Sequence, residues 1–410
     1  MIMKKLSTLF LYALAVVSLA WALPWLFNLL LPDSAKVPYI NYSPLSHEFI
    51  ATDKGESWVV NPDGSRGRDI PTAERDSLLP QQYFVQLSNT GRLADTILGR
   101  EVSPKILKHS NFVFRSSPRD VNKRCADVYM IMESMPARVD FEDPKEVFRM
   151  KDDGTVEFIR IADCSINDDR TKRFTKVFAD RGFKFPMADF SANVTTKKPF
   201  DAGYLMIDAE GTVYNMLQQA GTPFLKKIVL PDSVKAEKVL IMENNDGKHL
   251  GFAVTADGQT FAIGADYSAR RLDIDKFDPK VDNMLVMGSI FNWIIRIAND
   301  NQISWQVIDP DNYSRIAEYT MPQTSSSIEN IAAYIFPFTL TYDSIDDSYA
   351  LPRIENFSAK ALILNIVLAV VAAFVAVRRR WKPVAVAVMA VGIVVLGLYL
   401  FIPFLVLNDK

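Results

Sequence analysis

The sequence predicts an all-β outer domain, an irregular β-propeller-like array of five to seven blades, joined to three transmembrane α-helices, one N-terminal and two forming a C-terminal hairpin. Long charge-free runs lie at both ends of the 410-residue chain, and a tight turn preceded by an apolar pair recurs between them. The intervals between the later turns are blade-sized. The composition is that of a folded protein: 49% hydrophobic and 23% charged residues, with 46 basic against 48 acidic side chains, exclude disordered and collagen-like chains. A β-sandwich or a two-sheet β domain is the competing all-β architecture.

Residues 1–5 carry Lys4 and Lys5, and Leu6 to Leu31 then runs 26 positions without a charge, more than the ~20 residues a helix needs to cross hydrocarbon. Ala20-Trp21-Ala22 has the small-x-small form of a cleavage site, but the apolar run continues through Trp25, Leu26, Phe27 and Leu29, which favours an uncleaved anchor. At the other end, residues 361–377 and 384–407 are two further charge-free segments, separated by Arg378, Arg379, Arg380, Trp381, Lys382 and Pro383 in the loop 378–383. Positive residues stay cytoplasmic, so Lys4 and Lys5 place the N-terminus inside, and the basic loop independently lands inside after two crossings. The outer domain is then 32–360, and the tail 408–410 also ends outside. In a Gram-negative bacterium this describes an inner-membrane protein with a large periplasmic domain. Setting aside the six cytoplasmic basic residues and the Asp409/Lys410 pair leaves 39 basic and 47 acidic residues outside, a net charge of about −8. Nucleic acid and polyanionic polymers are poor partners for such a surface.

Within the outer domain, Asn61-Pro62-Asp63-Gly64, Asn89-Thr90-Gly91, Asp152-Asp153-Gly154, Ala209-Glu210-Gly211 and Ala256-Asp257-Gly258 share a turn form. Gly supplies positive φ there, and Asn or Asp closes the turn with its side chain. Six residues before each glycine stand Trp58, Val85, Phe148, Leu205 and Phe252, and four before it Val60, Leu87, Met150, Ile207 and Val254. A further copy, with Asp311 in the glycine position, contributes Trp305 and Val307. A period-2 apolar pair before a turn is what a strand with one buried face requires, and Val156, Phe158, Val213 and Phe261 begin the return strands. Gly64 to Gly154 spans 90 positions, and the next steps to Gly211, Gly258 and Asp311 are 57, 47 and 53. Gly91 and Arg181-Gly182 fall inside the larger intervals as candidate second hairpins.

Little in the chain carries chemistry. Asp273, Asp275 and Asp278, and the Asn61 to Ser65 turn, resemble parts of a calcium loop but lack its remaining ligands, so they read as solvated turns. Asp343, Asp346 and Asp347 form a small acidic cluster. His47, His109 and His249 are far apart and follow no metal or nucleophile signature, so no catalytic, metal or cofactor site is expected. Cys125 and Cys164 would lie in an oxidising compartment, where a disulfide closing a loop of about 40 residues is one of two open alternatives. Ala369, Ala372, Ala373 and Ala376 would let another helix approach closely. Asn365 is the one strongly polar residue of that span, and Pro403 marks a cheap break in the next. Tyr42, Tyr267 and Trp293 stand outside the repeat positions and read as packing residues.

Phe200-Asp201-Ala202-Gly203-Tyr204-Leu205-Met206-Ile207-Asp208 with Gly211-Thr212-Val213-Tyr214, and Met284 to Gly288 with Phe291-Asn292-Trp293, resemble stretches of a bacterial envelope family of unknown function. Its members are encoded near ABC transporter subunits, so the resemblance implies a membrane complex with an ABC ATPase and permease. The resulting expectation is a non-enzymatic accessory or membrane subunit of such a complex. Arg378, Arg379, Arg380 and Lys382 are then the candidate topology and partner contacts. The alternative is a membrane-anchored propeller that binds or senses an envelope glycan, peptide or protein.

Overall fold

The structure, a computed structural model, describes residues 2–31, 37–123, 126–138, 140–231, 234–323, 327–344 and 346–407. It divides into two compact units: Pro38–Gln323, and the two chain ends Met1–Val37 with Thr324–Lys410. The apolar helix α1 (Ile2–Leu30) belongs to the second.

The central unit is mostly antiparallel sheet. Strands β1 (Tyr39–Tyr42), β2 (Phe49–Asp53), β3 (Glu56–Val60) and β4 (Arg66–Asp69) form a first meander. Helices α2 (Thr72–Leu78) and α3 (Pro80–Asn89), the short hairpin β5 (Thr96–Ile97) with β6 (Arg100–Glu101), and α4 (Pro104–Ser110) follow. Next come β7 (Phe112–Ser116) and α5 (Pro118–Val121), then a second sheet of β8 (Tyr129–Met130), β9 (Glu146–Met150) and β10 (Val156–Arg160), with α6 (Asp168–Asp180) against it. The third is β11 (Asp189–Ala192), β12 (Tyr204–Ile207), β13 (Val213–Gln219) and β14 (Thr222–Lys227). The fourth is β15 (Ala236–Ile241), β16 (His249–Thr255), β17 (Thr260–Gly264) and β18 (Ala269–Arg271). The fifth is β19 (Asn283–Gly288), β20 (Trp293–Ala298), β21 (Gln302–Ile308) and β22 (Arg315–Pro322), to which β7 adds an edge strand beside β19.

Burial on both faces of the sheets explains the near-continuous apolar runs, such as Tyr204–Ile207 and Leu250–Val254. Ile40, Tyr42 and Phe49 of the first sheet pack on Ile294, Trp305 and Val307 of the fifth. Phe114 and Trp293 of the fifth share a core with Phe252 and Leu240 of the fourth. Leu205 and Val213 of the third meet Ala253 and Phe261 of the fourth, and Phe148 and Phe158 of the second meet Tyr204 and Tyr214 of the third. Sheets therefore stack face to face in the order first, fifth, fourth, third, second.

The recurring pairs are strand residues at five of their six positions: Trp58/Val60 on β3, Phe148/Met150 on β9, Leu205/Ile207 on β12, Phe252/Val254 on β16 and Trp305/Val307 on β21. The Val85/Leu87 copy is helical instead. It lies in α3, which starts at Pro80 and ends where Arg92 N donates to Leu87 O, with Gly91 at φ 66. Leu87 is buried and Val85 exposed, a helical rather than a strand pattern. Gly182, at φ 74, likewise ends α6 and opens no hairpin. The pairs also mark different hairpins of their sheets, the third and fourth strands in the first sheet but the second and third in the third, hence the irregular intervals.

In the other unit, Leu6–Leu30 and Ala359–Arg378 are long and apolar enough to cross a membrane. Between them stand α7 (Ser327–Ile335) and the hairpin β23 (Thr339–Thr341) with β24 (Arg353–Glu355), so part of the expected 32–360 outer segment clusters with the apolar helices. After α8 (Leu362–Arg378), the expected 384–407 span is divided into α9 (Pro383–Leu396) and α10 (Leu398–Leu407), of 14 and 10 residues. At ~1.5 Å per residue neither alone covers the ~30 Å of a hydrocarbon core. The break falls at Gly397 and not at Pro403, which lies inside α10. Gly397 adopts φ 55 and ψ −133, and a Cβ there would stand 2.3 Å from Asn365 Oδ1. Asn365 Nδ2 donates to Val394 O at 3.0 Å, tying α8 to the last turn of α9. Ala369, Ala372 and Ala376 are buried between these helices, as small residues at that spacing permit. Phe27 of α1 meets Phe336 edge-on at 5.6 Å, and Tyr399 of α10 donates its hydroxyl to Phe338 O.

Candidate functional site

The central unit contains a cleft of about 880 Å³, within the range of small-ligand sites, where edge strands of four sheets meet: β7, β8, β11 and β15. Each reaches it for a local reason. On β7, Phe112, Phe114 and Ser116 alternate inward while Val113 and Arg115 are exposed. Gly288 of β19 makes room for this strand, since a Cβ there would lie 2.1 Å from the Phe112 ring. Tyr204 donates its hydroxyl to Met130 O at 2.5 Å, fixing β8 against the third sheet.

Strands β11 and β15 lie side by side without pairing their backbones; side chains do this instead. Asp189 Oδ2 accepts from Val239 N at 3.0 Å and Ser191 Oγ from Ile241 N at 2.9 Å, standing where the carbonyls of a paired strand would stand. Lys238 Nζ lies 2.6 Å from Asp189 Oδ1. Burial holds the Asp189 carboxyl above the ordinary range, against the pull of Lys238.

A buried ionic cluster fixes the far end of β11. Lys198 Nζ donates to Asp201, to Glu243 Oε1 at 2.9 Å and to Asn193 O at 2.7 Å, and the three charged side chains are only 2%, 2% and 1% exposed. Glu243 also accepts from Ala202 N at 2.7 Å and Asn193 Nδ2 at 2.9 Å, and Ser134 Oγ donates to Asp201. Desolvation raises the Glu243 carboxyl above its usual value. Asn193 lines the cleft, so this cluster shapes its wall. Gly203 follows directly at φ 69, and a Cβ there would meet Met216 O at 2.1 Å.

The residues singled out by sequence stand elsewhere. Cys125 lies outside the described residues, so the pairing has one end out of view; Cys164 is exposed in the turn between Asp163 and Ser165. Arg378, Arg379, Arg380 and Lys382 are exposed together at the α8–α9 turn, where Arg380 takes φ 59 and Trp381 N donates to Ala376 O. They belong to the other unit. Asp275 is paired with Arg315 at 3.0 Å and accepts from Gln306, so it braces a loop where a bare solvated turn was expected. Asp347 pairs with Arg353 at 2.8 Å. Asp63, Asp163 and Asp266 accept first from the hydroxyls of Ser65, Ser165 and Ser268, which lowers their carboxyls. His249 lies 2.9 Å from the Tyr313 hydroxyl and packs on Trp293. Tyr42 and Trp293 are core residues and Tyr267 is half-buried. Among the described residues no group of three His, Cys, Asp or Glu is spaced to hold a metal.

The match of the Domain of unknown function family DUF4857 runs from residue 39 to 308, through all five sheets. The chain belongs to the DUF4857 family. The Phe200 to Tyr214 and Met284 to Trp293 stretches that carried the family resemblance lie inside that region. No curated protein matches the chain in sequence. Among solved structures it is similar to PorZ, a surface component of the type-IX secretion system of Porphyromonas gingivalis, at 12% identity over 70% of this chain and 27% of that one, with a TM-score of 0.22. The β-propeller domain of Cps50 (Swd1) of Myceliophteria thermophila aligns at 10% identity over 50% of this chain and 58% of that one, TM-score 0.26. The WD40 domain of SCAP from fission yeast aligns at 9% identity over 76% and 56%, TM-score 0.25. The chain thus spans between 27% and 58% of the length of these structures.

Proposed function

We propose that this DUF4857 protein is a non-enzymatic, membrane-anchored binding subunit whose five stacked sheets form an open, propeller-like outer domain around the central cleft. The cleft carries the proposal. Four strand edges and several charged side chains converge on about 880 Å³, bordered by an ion pair and a buried cluster that fix its wall. We place the N-terminus in the cytoplasm and the sheets in the periplasm of a bacterial inner membrane. Lys4 and Lys5 flank the first apolar helix, and Arg378 to Lys382 flank the others, which supports this orientation. A third crossing would be made by α9 and α10 together.

The assembly we favour for this subunit contains an ABC ATPase and its permease, with α8–α9 and their basic turn as the membrane contact. Purification of the tagged full-length protein from native membranes in mild detergent tests this, with mass spectrometry of what remains bound. Near-equal recovery of an ATPase and permease supports it, and their loss after Arg-to-Lys exchange at Arg378, Arg379 and Arg380 would locate the contact. Recovery of neither removes the transporter link while leaving the cleft as a binding site.

A further inference from the structure

The four strand edges at the cleft are not equivalent. The N–H groups of Val239 and Ile241 on β15 are taken by the Asp189 and Ser191 side chains of β11, which occupies two donors of the β15 edge. Strand β8 has two residues. Strand β7 has five, pairs only with β19, and among the described residues its outer edge has no backbone partner. An open edge of this length is a template for another extended chain, which would lie about 4.8 Å away.

The charge on the same wall says which chain. Arg115, on β7 itself, and Lys123 both line the cleft, are exposed, and make no hydrogen bond or ion pair with any described residue. The acidic groups nearby are already engaged: Asp120 closes the capping box of α5 with Ser117, and Asp189 holds Lys238. Asp127 also has a partner. Arg115 and Lys123 are therefore left without an ion-pair partner among the described residues, although the cleft lining holds three acidic side chains beside its three basic ones and the outer surface as a whole is acidic. Arginine on the edge strand and a lysine in the connection after α5, both left open beside it, favour carboxylates on an added strand.

We propose that the cleft binds an extended acidic polypeptide segment, added as a strand along the outer edge of β7 with its carboxylates on Arg115 and Lys123. This rests on the binding-subunit reading and names its ligand class. The test uses the full-length protein in nanodiscs and a degenerate octapeptide library, with sequencing of the enriched peptides. The expected result is enrichment of peptides bearing Asp or Glu. Their affinity should fall at least tenfold in the Arg115→Ala/Lys123→Ala variant, recover in Arg115→Lys/Lys123→Arg, and weaken as salt rises. Backbone N-methylation on one set of alternate residues of a selected peptide should abolish binding, and on the other set spare it. No enrichment over empty nanodiscs, no acidic bias, or binding indifferent to Arg115→Ala/Lys123→Ala overturns the inference. Peptides or glycans that bind without the acidic bias, yet compete with a probe cross-linked from Ser191, would overturn it while the cleft remained a binding site.

Discussion

Replacing Lys198 with methionine removes the only cation from a cluster that holds two carboxylates and a backbone carbonyl away from water. The side chain donates to Asp201, to Glu243 at 2.9 Å and to Asn193 O at 2.7 Å, and methionine has similar bulk with no donor. Removing one partner of a buried ionic group costs about 3–5 kcal/mol, because the opposite charge remains without compensation. At about 2–4 °C per kcal/mol for a domain of this size, melting should fall by roughly 10 °C. The deficit should shrink as pH falls. Burial already raises the Glu243 carboxyl, so its contribution favours folding below its unfolded value and is lost as pH rises through the folded one. Loss of the lysine raises it further. The triple variant Lys198→Met/Asp201→Asn/Glu243→Gln should recover part of the loss at neutral pH. Thermal unfolding of the purified full-length protein by circular dichroism reads all three effects. A single variant melting within 1–2 °C of the parent, about 0.5 kcal/mol, would refute the reasoning.

Gly203→Ala forces a Cβ to 2.1 Å from Met216 O at a positive φ, and conformation alone costs about 1–2 kcal/mol. With the backbone clash added, we expect a loss of soluble folded protein, measured as yield and melting temperature. Glu157 accepts first from Lys151 and also from Arg149, which lowers its carboxyl, so its stabilisation is present above about pH 4.3 and lost as pH falls through its folded value. Glu157→Gln should therefore melt lower at neutral pH and lose less on acidification, as a series of melts across pH would read. In the apolar unit, Gly397→Ala places a Cβ 2.3 Å from Asn365 Oδ1, whereas Asn365→Ala/Gly397→Ala relieves that contact. Denaturant titration in detergent should show the double variant more stable than the sum of the single changes by about 0.5–3 kcal/mol, and strict additivity would contradict the contact.

Much of the architecture was legible because it rests on local periodicity. The charge-free runs mark α1 and α8, and the apolar pairs mark β3, β9, β12, β16 and β21. Val85 and Leu87 misled because a spacing of two also occurs on a helix, and the signals of α3, Pro80 at its start and Gly91 at its end, outweigh it. The division at Gly397 was hidden because nothing apolar or charged changes there; only the approach of Asn365 reveals it. The cleft was not legible at all. Strand β7 joins a sheet whose other strands begin near residue 283, a pairing that no local pattern encodes, and Phe112-Val113-Phe114 is apolar throughout, so only its burial in the structure shows the strand alternation. Lys198, Asp201 and Glu243 are ordinary charged residues in sequence, and only burial makes them a cluster.

The most direct measurement of the central claim is photo-cross-linking in native membranes from a benzoylphenylalanine placed at Ser191 or Tyr129 in the cleft, compared with one at Ile316 on the exposed strand β22. The account predicts a discrete adduct from the cleft positions, reduced in the Lys198→Met variant whose cleft wall is loosened, and none from Ile316. Adducts confined to Ile316, with none from the cleft positions, would contradict it.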